Sequence, residues 1–235
     1  MCSVRDDMDQ NFAAFAQKVG CIFKNKTLLK QAFTHRSYLN EHKGFGEHNE
    51  RLEFLGDAVL EVIVSEFLFH KYPDKPEGEL TAYRAALVNT ISISEVAQEL
   101  GMNDFLLLSK GEAKDKGRAR QYILANTYEA FIGALYLDQG HDAAARFIAD
   151  TLLAKAEAMV SKGLWMDAKS TFQEMSQEKF GTTPHYELTA ETGPDHDKHF
   201  TSAVFIGDRE IARGEGKSKQ EAEQAAAQKA LTIKL

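Results

Sequence analysis

Residues 49–60 read Asn49-Glu50-Arg51-Leu52-Glu53-Phe54-Leu55-Gly56-Asp57-Ala58-Val59-Leu60. The spacing predicts a helix: Leu52, Leu55, Val59 and Leu60 recur on one face, and Glu50, Glu53 and Asp57 share a stripe on another. Like charges stacked three and four apart repel by a few tenths of a kcal/mol per pair in an isolated helix. A divalent cation offsets such repulsion, because Mg²⁺ takes hard oxygen ligands from one or two carboxylates together with substrate phosphates. Spacing alone leaves open, and by base rate favours, a solvated acidic face. Gly56 costs about 1 kcal/mol inside a helix relative to Ala. A close approach by another backbone would account for it.

Around this stretch the first two-thirds of the chain reads as helical. Leu28, Leu29, Ala32 and Phe33 mark one amphipathic pattern, and Ala85, Leu87, Val88, Ile91, Val96 and Ala97 another, stopped by Gly101. Residues 109–121 lack apolar periodicity and read as an exposed basic loop. Periodicity returns from Tyr122 to Tyr136, and residues 143–160 read as a closing helix before a linker at Ser161-Lys162-Gly163. The period then changes. Ala168, Thr171, Phe172 and Met175 form a helical stripe, with Asp167 as its N-cap. Residues 185–190, 200–206 and 211–213 read as strands. Ser218 and Glu221 form a capping box for a last, Ala-rich helix. The second unit is therefore α-β-β-β-α in about seventy residues, the architecture of a double-stranded RNA-binding domain.

The 235 residues, 43% hydrophobic and 27% charged, suit one large or two modest globular domains. No signal peptide or membrane-length apolar run is read. Cys2 and Cys21 alone exclude a disulfide scaffold and suit a reducing, cytoplasmic setting. The net charge of −7 weighs mildly against nucleic acid as a partner unless basic groups are locally concentrated.

Two long stretches resemble the bacterial ribonuclease III family. One is Glu50–Leu60; the other is Ile123-Leu124-Ala125-Asn126-Thr127-Tyr128-Glu129-Ala130-Phe131-Ile132-Gly133-Ala134-Leu135-Tyr136-Leu137-Asp138. Ala32-Phe33-Thr34-His35-Arg36-Ser37-Tyr38 is similar to a third, earlier motif. The resemblance runs from about Phe12 to the C-terminus. It implies an α-helical endonuclease domain over residues 10–161, followed by an α+β (α-β-β-β-α) double-stranded RNA-binding domain over 167–235. The activity implied is Mg²⁺-dependent hydrolysis of double-stranded RNA, with Mn²⁺ as a possible substitute. The resemblance implies 5′-phosphate and 3′-hydroxyl products, in the processing of ribosomal and messenger RNA by a homodimer away from membranes.

The resemblance further implies metal ligands at Glu53, Asp57, Asn126 and Glu129, with Asp57 and Glu129 as the residues of greatest catalytic weight. Asn126 and Glu129, at i and i+3, address one spot. Asn126 departs from the family's commoner Asp: it offers a carbonyl oxygen without charge, so weaker metal binding is expected. A double-stranded-RNA-binding protein with an impaired nuclease site is the alternative. Glu50 and Glu77, the latter in a turn at residues 76–79, match acidic positions lining the cleft. Phe54 matches a dimer contact that enters a pocket on the partner, against an ordinary place in its own core. RNA contacts map to Ser170, Gln173 and Glu174 on the first helix of the second domain, His196 in its β1–β2 loop, and Lys217 and Lys219 at its last helix. His35 reads as structural. The scattered His residues, none in either carboxylate segment, argue against metal-free acid–base cleavage, and the absence of Glu-x-x-His argues against a di-iron bundle.

Overall fold

The computed structural model describes residues 11–161, 168–194 and 198–233. Asp167, His196 and all but the first residue of the expected linker lie outside the described residues. Contacts divide the chain into two compact units, Met1–Trp165 and Met166–Leu235.

The first unit is helical. Residues 11–18 form α1, followed by α2 (Lys26–Ala32), α3 (Arg36–Glu41), α4 (Glu50–Lys71), α5 (Glu77–Leu87) and α6 (Thr90–Leu100). Then come α7 (Arg118–Gln139), α8 (His141–Thr151) and α9 (Ala156–Ser161). Helix α7 is the axis of the unit. Its residues 123–125, 127, 128 and 130–135 are buried, so it is apolar on nearly every side, as expected of a core helix. Phe131 anchors an aromatic cluster with Phe15, Phe23 and Phe33, at ring separations of 5.8, 5.3 and 6.1 Å. At the far end of α7, the Asp138 carboxylate accepts the backbone N–H groups of Lys24 (2.8 Å) and Asn25 (2.7 Å).

Helix α4 lies against α7 at two glycines. A Cβ placed on Gly56 would stand 1.7 Å from the Glu129 carbonyl oxygen, and one on Gly133 would stand 2.2 Å from that of Leu52. The close backbone approach expected at Gly56 is therefore made by α7 of the same chain.

Several boundaries differ from expectation for local reasons. The pattern through Ala85 and Ala97 is two helices, because Asn89 breaks it and caps α6, its side chain accepting from Ser92 N–H (3.0 Å). Gly101 does stop α6, in a left-handed conformation (φ 81°). Helix α7 begins at Arg118, inside the expected loop, and a 3₁₀ turn occupies Glu112–Lys114. A 3₁₀ turn at Leu153–Lys155 interrupts the expected closing helix. Glu77 is the first residue of α5 rather than part of a turn.

The second unit comprises α10 (Ala168–Phe180), β1 (His185–Thr192), β2 (His199–Ile206), β3 (Arg209–Gly216) and α11 (Lys219–Leu231). The antiparallel sheet runs β1-β2-β3. Phe172, Val204, Ala226, Ala227 and Ala230 form its core. The small α11 side chains let that helix sit on Gly214, where a Cβ would fall 2.1 Å from the Ala226 nitrogen. The capping box is modified: Ser218 Oγ accepts from Glu221 N–H (3.1 Å), while the Glu221 carboxylate accepts from Lys217 N–H (2.8 Å) rather than from Ser218.

Candidate active site

The site is built where α4 crosses α7. Two features fix the start of α4. Asn49 is buried; its N–H donates to Thr34 O (2.9 Å), its side-chain amide to Ala32 O (3.2 Å), and its carbonyl accepts Glu53 N–H (2.9 Å). The Glu50 carboxylate is held by Arg36 (3.2 Å), with His48 at 3.8 Å. His35 caps α3, its Nδ1 accepting Ser37 N–H (3.3 Å), which is the structural role expected of it. Burial holds its pKa below the usual value, consistent with a neutral, accepting ring.

From this anchored turn, Glu53 is half-buried and Asp57 exposed, both on the side of α4 that meets α7. The glycine crossing carries the half-buried Glu129 to them, and the three carboxylates act on one another. Burial is the main cause that lifts the Glu53 pKa, followed by the charges of Glu50 and Asp57. The Asn126 side chain hydrogen-bonds Glu53 and offsets part of that rise. Glu129 is pushed up to about 8, first by burial and then by Asp57 and Glu53. Expected site residues 53, 57, 126 and 129 are thus brought together, from two segments about seventy residues apart. Glu50 joins them electrostatically. Glu77 does not: its carboxylate accepts the Thr81 hydroxyl on its own helix (3.3 Å), and among the described residues no interaction ties it to the cluster.

Among the described residues, no three His, Cys, Asp and Glu side chains form a ready-made metal cage. The donor chemistry nevertheless fits a hard cation. Every side-chain donor is oxygen, three are carboxylates that repel one another, and Glu129 is protonated near neutral pH unless a positive charge draws its proton off.

Phe54 is 81% exposed on the same helix, so it is not a core residue of its own chain. It borders a groove with Leu28, Leu55 and Leu137. In the second unit, Ser170, Gln173 and Glu174 lie on the exposed side of α10, opposite buried Phe172 and Ser176. Lys217 and Lys219 are exposed on either side of the Ser218 cap of α11. His196 lies outside the described residues. Sequence reasoning missed Asn49, Arg36 and His48 as the supports of the carboxylate turn. A polar residue just before the first helical Glu was the available signal for Asn49. The ion partners of Glu50 come from other segments and leave no local pattern.

Two family descriptions match the chain: "Ribonuclease-III-like" over residues 25–156 and "Double-stranded RNA binding motif" over residues 168–233. Ribonuclease 3 of Geobacillus thermodenitrificans (strain NG80-2) is 48% identical over 221 residues, covering 94% of this chain and 89% of that protein. Ribonuclease 3 of Campylobacter fetus is 45% identical over 215 residues, covering 92% and 94%. Among solved structures, a nuclease domain of ribonuclease III from Campylobacter jejuni superimposes with a TM-score of 0.53. It shares 40% identity, covering 59% of this chain and 96% of that one. In that domain, structural flexibility is described in a region involved in dimer formation.

Proposed function

The chain belongs to the ribonuclease III family and is an endoribonuclease of double-stranded RNA, and we propose that it cuts with Mg²⁺, or Mn²⁺ in its place, as a homodimer. The observation that carries the site assignment is the convergence of Glu53, Asp57 and Glu129 on one spot, where burial first and the two neighbouring carboxylates second raise the Glu129 pKa to about 8. Glu53, Asp57 and Glu129 hold the cation, and Asn126 contributes its carbonyl oxygen directly or through water. A cation bound there lowers the pKa of a coordinated water and neutralises charge on the scissile phosphate.

The protein's own groups do the rest. Asn126 holds Glu53 in place through its amide. Glu129 gives up its proton as the site is loaded. Arg36 pairs with Glu50, whose charge still reaches Glu53. Hydrolysis leaves a 5′-phosphate and a 3′-hydroxyl. The exposed Phe54 enters a pocket on a second copy, in keeping with the dimer-forming region described for the Campylobacter jejuni nuclease domain. Ser170, Gln173, Glu174 and His196 meet the wide minor groove, where 2′-hydroxyls mark RNA. Lys217 and Lys219 take phosphates beside the N–H groups of α11. Among the described residues no helix is long and apolar enough to cross a membrane. Processing of ribosomal and messenger RNA precursors in the cytoplasm fits these features.

Cleavage of an end-labelled RNA duplex with Mg²⁺ tests this reading. Discrete fragments with 5′-phosphates, lost in Asp57→Ala and in chelator, are expected. Duplex binding without cleavage in either metal would leave only a binding protein with an impaired site.

A further inference from the structure

Helices α10 and α11, which carry residues assigned to RNA in the second unit, are joined through Lys169. This is the second residue of α10, and its Nζ lies 2.6 Å from the Glu223 carboxylate on α11. Its backbone N–H, one of the first-turn donors that a helix leaves unsatisfied internally, donates to Gln224 Oε1 (3.4 Å). The same ammonium stands 4.8 Å from the centre of the Tyr186 ring on β1. Tyr186 pairs with Val204 across the sheet and packs on the core of the unit. One residue of α10 thereby meets a second helix and a strand. The ion pair is also shielded: its side chains are 34% and 29% exposed, against 59% and 38% for Arg213 and Glu210.

Gln173 lies four residues after Lys169 on α10, and Lys219 lies four residues before Glu223 on α11. Side chains four apart on a helix are neighbours, about 5–6 Å between Cβ atoms. The ion pair therefore sits one turn from a residue assigned to RNA on each helix, Gln173 for 2′-hydroxyls and Lys219 for phosphates. A duplex presents those groups at a set separation, so both are met at once only if the two helices keep a fixed offset. Apolar packing alone does little to set that offset. Helix α11 is seated on the sheet at Gly214, but the face it buries is Ala222, Ala226, Ala227 and Ala230. Such a smooth surface excludes water from Phe172 of α10 without interlocking with it. The directional contacts of Lys169 supply the register that the alanines lack.

We propose that Lys169 is a positioning residue for duplex recognition: its ion pair with Glu223 fixes the offset between α10 and α11, so that Gln173 and Lys219 engage one duplex together. Lys169 itself does not touch the RNA. The inference rests on the assignment of Gln173 and Lys219 as RNA contacts. It reverses the sign expected from charge alone. Removing the Glu223 carboxylate from a surface that meets a polyanion should tighten binding by electrostatics, whereas loss of the joint weakens it.

The test is equilibrium binding of an RNA duplex by the full chain in Ca²⁺. Far-UV circular dichroism confirms that each variant is folded at the assay temperature. Lys169→Met and Glu223→Gln should each raise Kd about five- to tenfold, and the double variant should match the singles, because both break one joint. Lys169→Arg keeps the cation and the reach to Glu223 and should stay within about threefold of wild type. Gln173→Ala and Lys219→Ala should each weaken binding in the wild-type chain. Either should cost less in the Lys169→Met background, where the two contacts no longer act as a unit. Glu223→Gln binding as tightly as wild type, or more tightly, overturns the proposal. So does a Lys219→Ala factor of equal size in both backgrounds, which would make Lys169 independent of that contact. If neither Gln173→Ala nor Lys219→Ala weakens binding in the wild-type chain, the RNA assignment itself falls, and the proposal with it.

Discussion

Gly56→Ala tests how the two halves of the site are held in register. A methyl group at residue 56 would lie 1.7 Å from the Glu129 carbonyl oxygen, 2.6 Å from its carbon and 2.9 Å from Gly133 N. All three obstacles are backbone, so no rotamer change relieves them. Restoring ordinary contact, which begins near 3.4 Å, requires α4 and α7 to part locally by about 1.7 Å. Overpacking of this kind costs about 1–3 kcal/mol, toward the upper end where nothing flexible yields. Alanine returns about 1 kcal/mol of helix propensity. The net loss is about 2 kcal/mol, or roughly 4–8 °C in the melting temperature of the nuclease unit at about 2–4 °C per kcal/mol. Function should suffer more than stability. The obstructed carbonyl belongs to Glu129 itself, so the displacement separates that carboxylate from Glu53 and Asp57, and misplacement by about 1 Å costs about 10²-fold in rate. Thermal unfolding, paired with cleavage of an end-labelled duplex under single-turnover conditions, reads both quantities. Duplex affinity measured in Ca²⁺ should stay near wild type, because the second unit is untouched. Activity within threefold of wild type, with an unchanged melting temperature, would refute the glycine crossing as the device that sets the site.

Glu129→Gln should abolish cleavage yet stabilise the metal-free fold as pH rises. The Glu129 pKa is raised on folding from 4.5 to about 8, so the folded protein loses stability through that window, by at most about 5 kcal/mol at about 1.4 kcal/mol per unit. The melting-temperature gap between variant and wild type should therefore widen from pH 5 to 8 and then level off; a constant gap would contradict the shift. Asn126→Asp adds a fourth carboxylate: it should lower the melting temperature in chelator and lower the Mg²⁺ concentration that half-restores it, and no change in either would remove residue 126 from the site. Phe54→Ala should sediment as a monomer at concentrations where wild type is a dimer, with a melting temperature close to that of wild-type protomers; a persistent dimer would rule out Phe54 as its anchor.

The carboxylate stripe and the α-β-β-β-α order were legible because both are local: they depend on periodicity and on turn residues within a few positions. Gly56 was legible as a defect, since glycine inside a helix asks for a reason, but which backbone came close was not. It is that of Glu129, seventy-three residues on, and only packing joins them. Boundaries failed where a short polar device outweighed apolar periodicity, as at Asn89, whose side chain ends one helix pattern and starts another. Glu77 shows the reverse limit. A motif placed it with the cleft acids, whereas the structure places it at the head of α5 with Thr81 as its partner.

Proton release on metal binding tests the central claim most directly. Calorimetric titration of the full chain with Mg²⁺ at pH 7, in two buffers of different ionisation enthalpy, counts the protons displaced. With Glu129 at a pKa of about 8 and serving as a ligand, about 0.9 proton should leave per site at pH 7, falling toward zero by pH 9.5, and Glu129→Gln should release none. Metal binding with no proton released at pH 7, or an undiminished release in Glu129→Gln, would contradict a cation held by Glu53, Asp57 and Glu129 at the α4–α7 crossing.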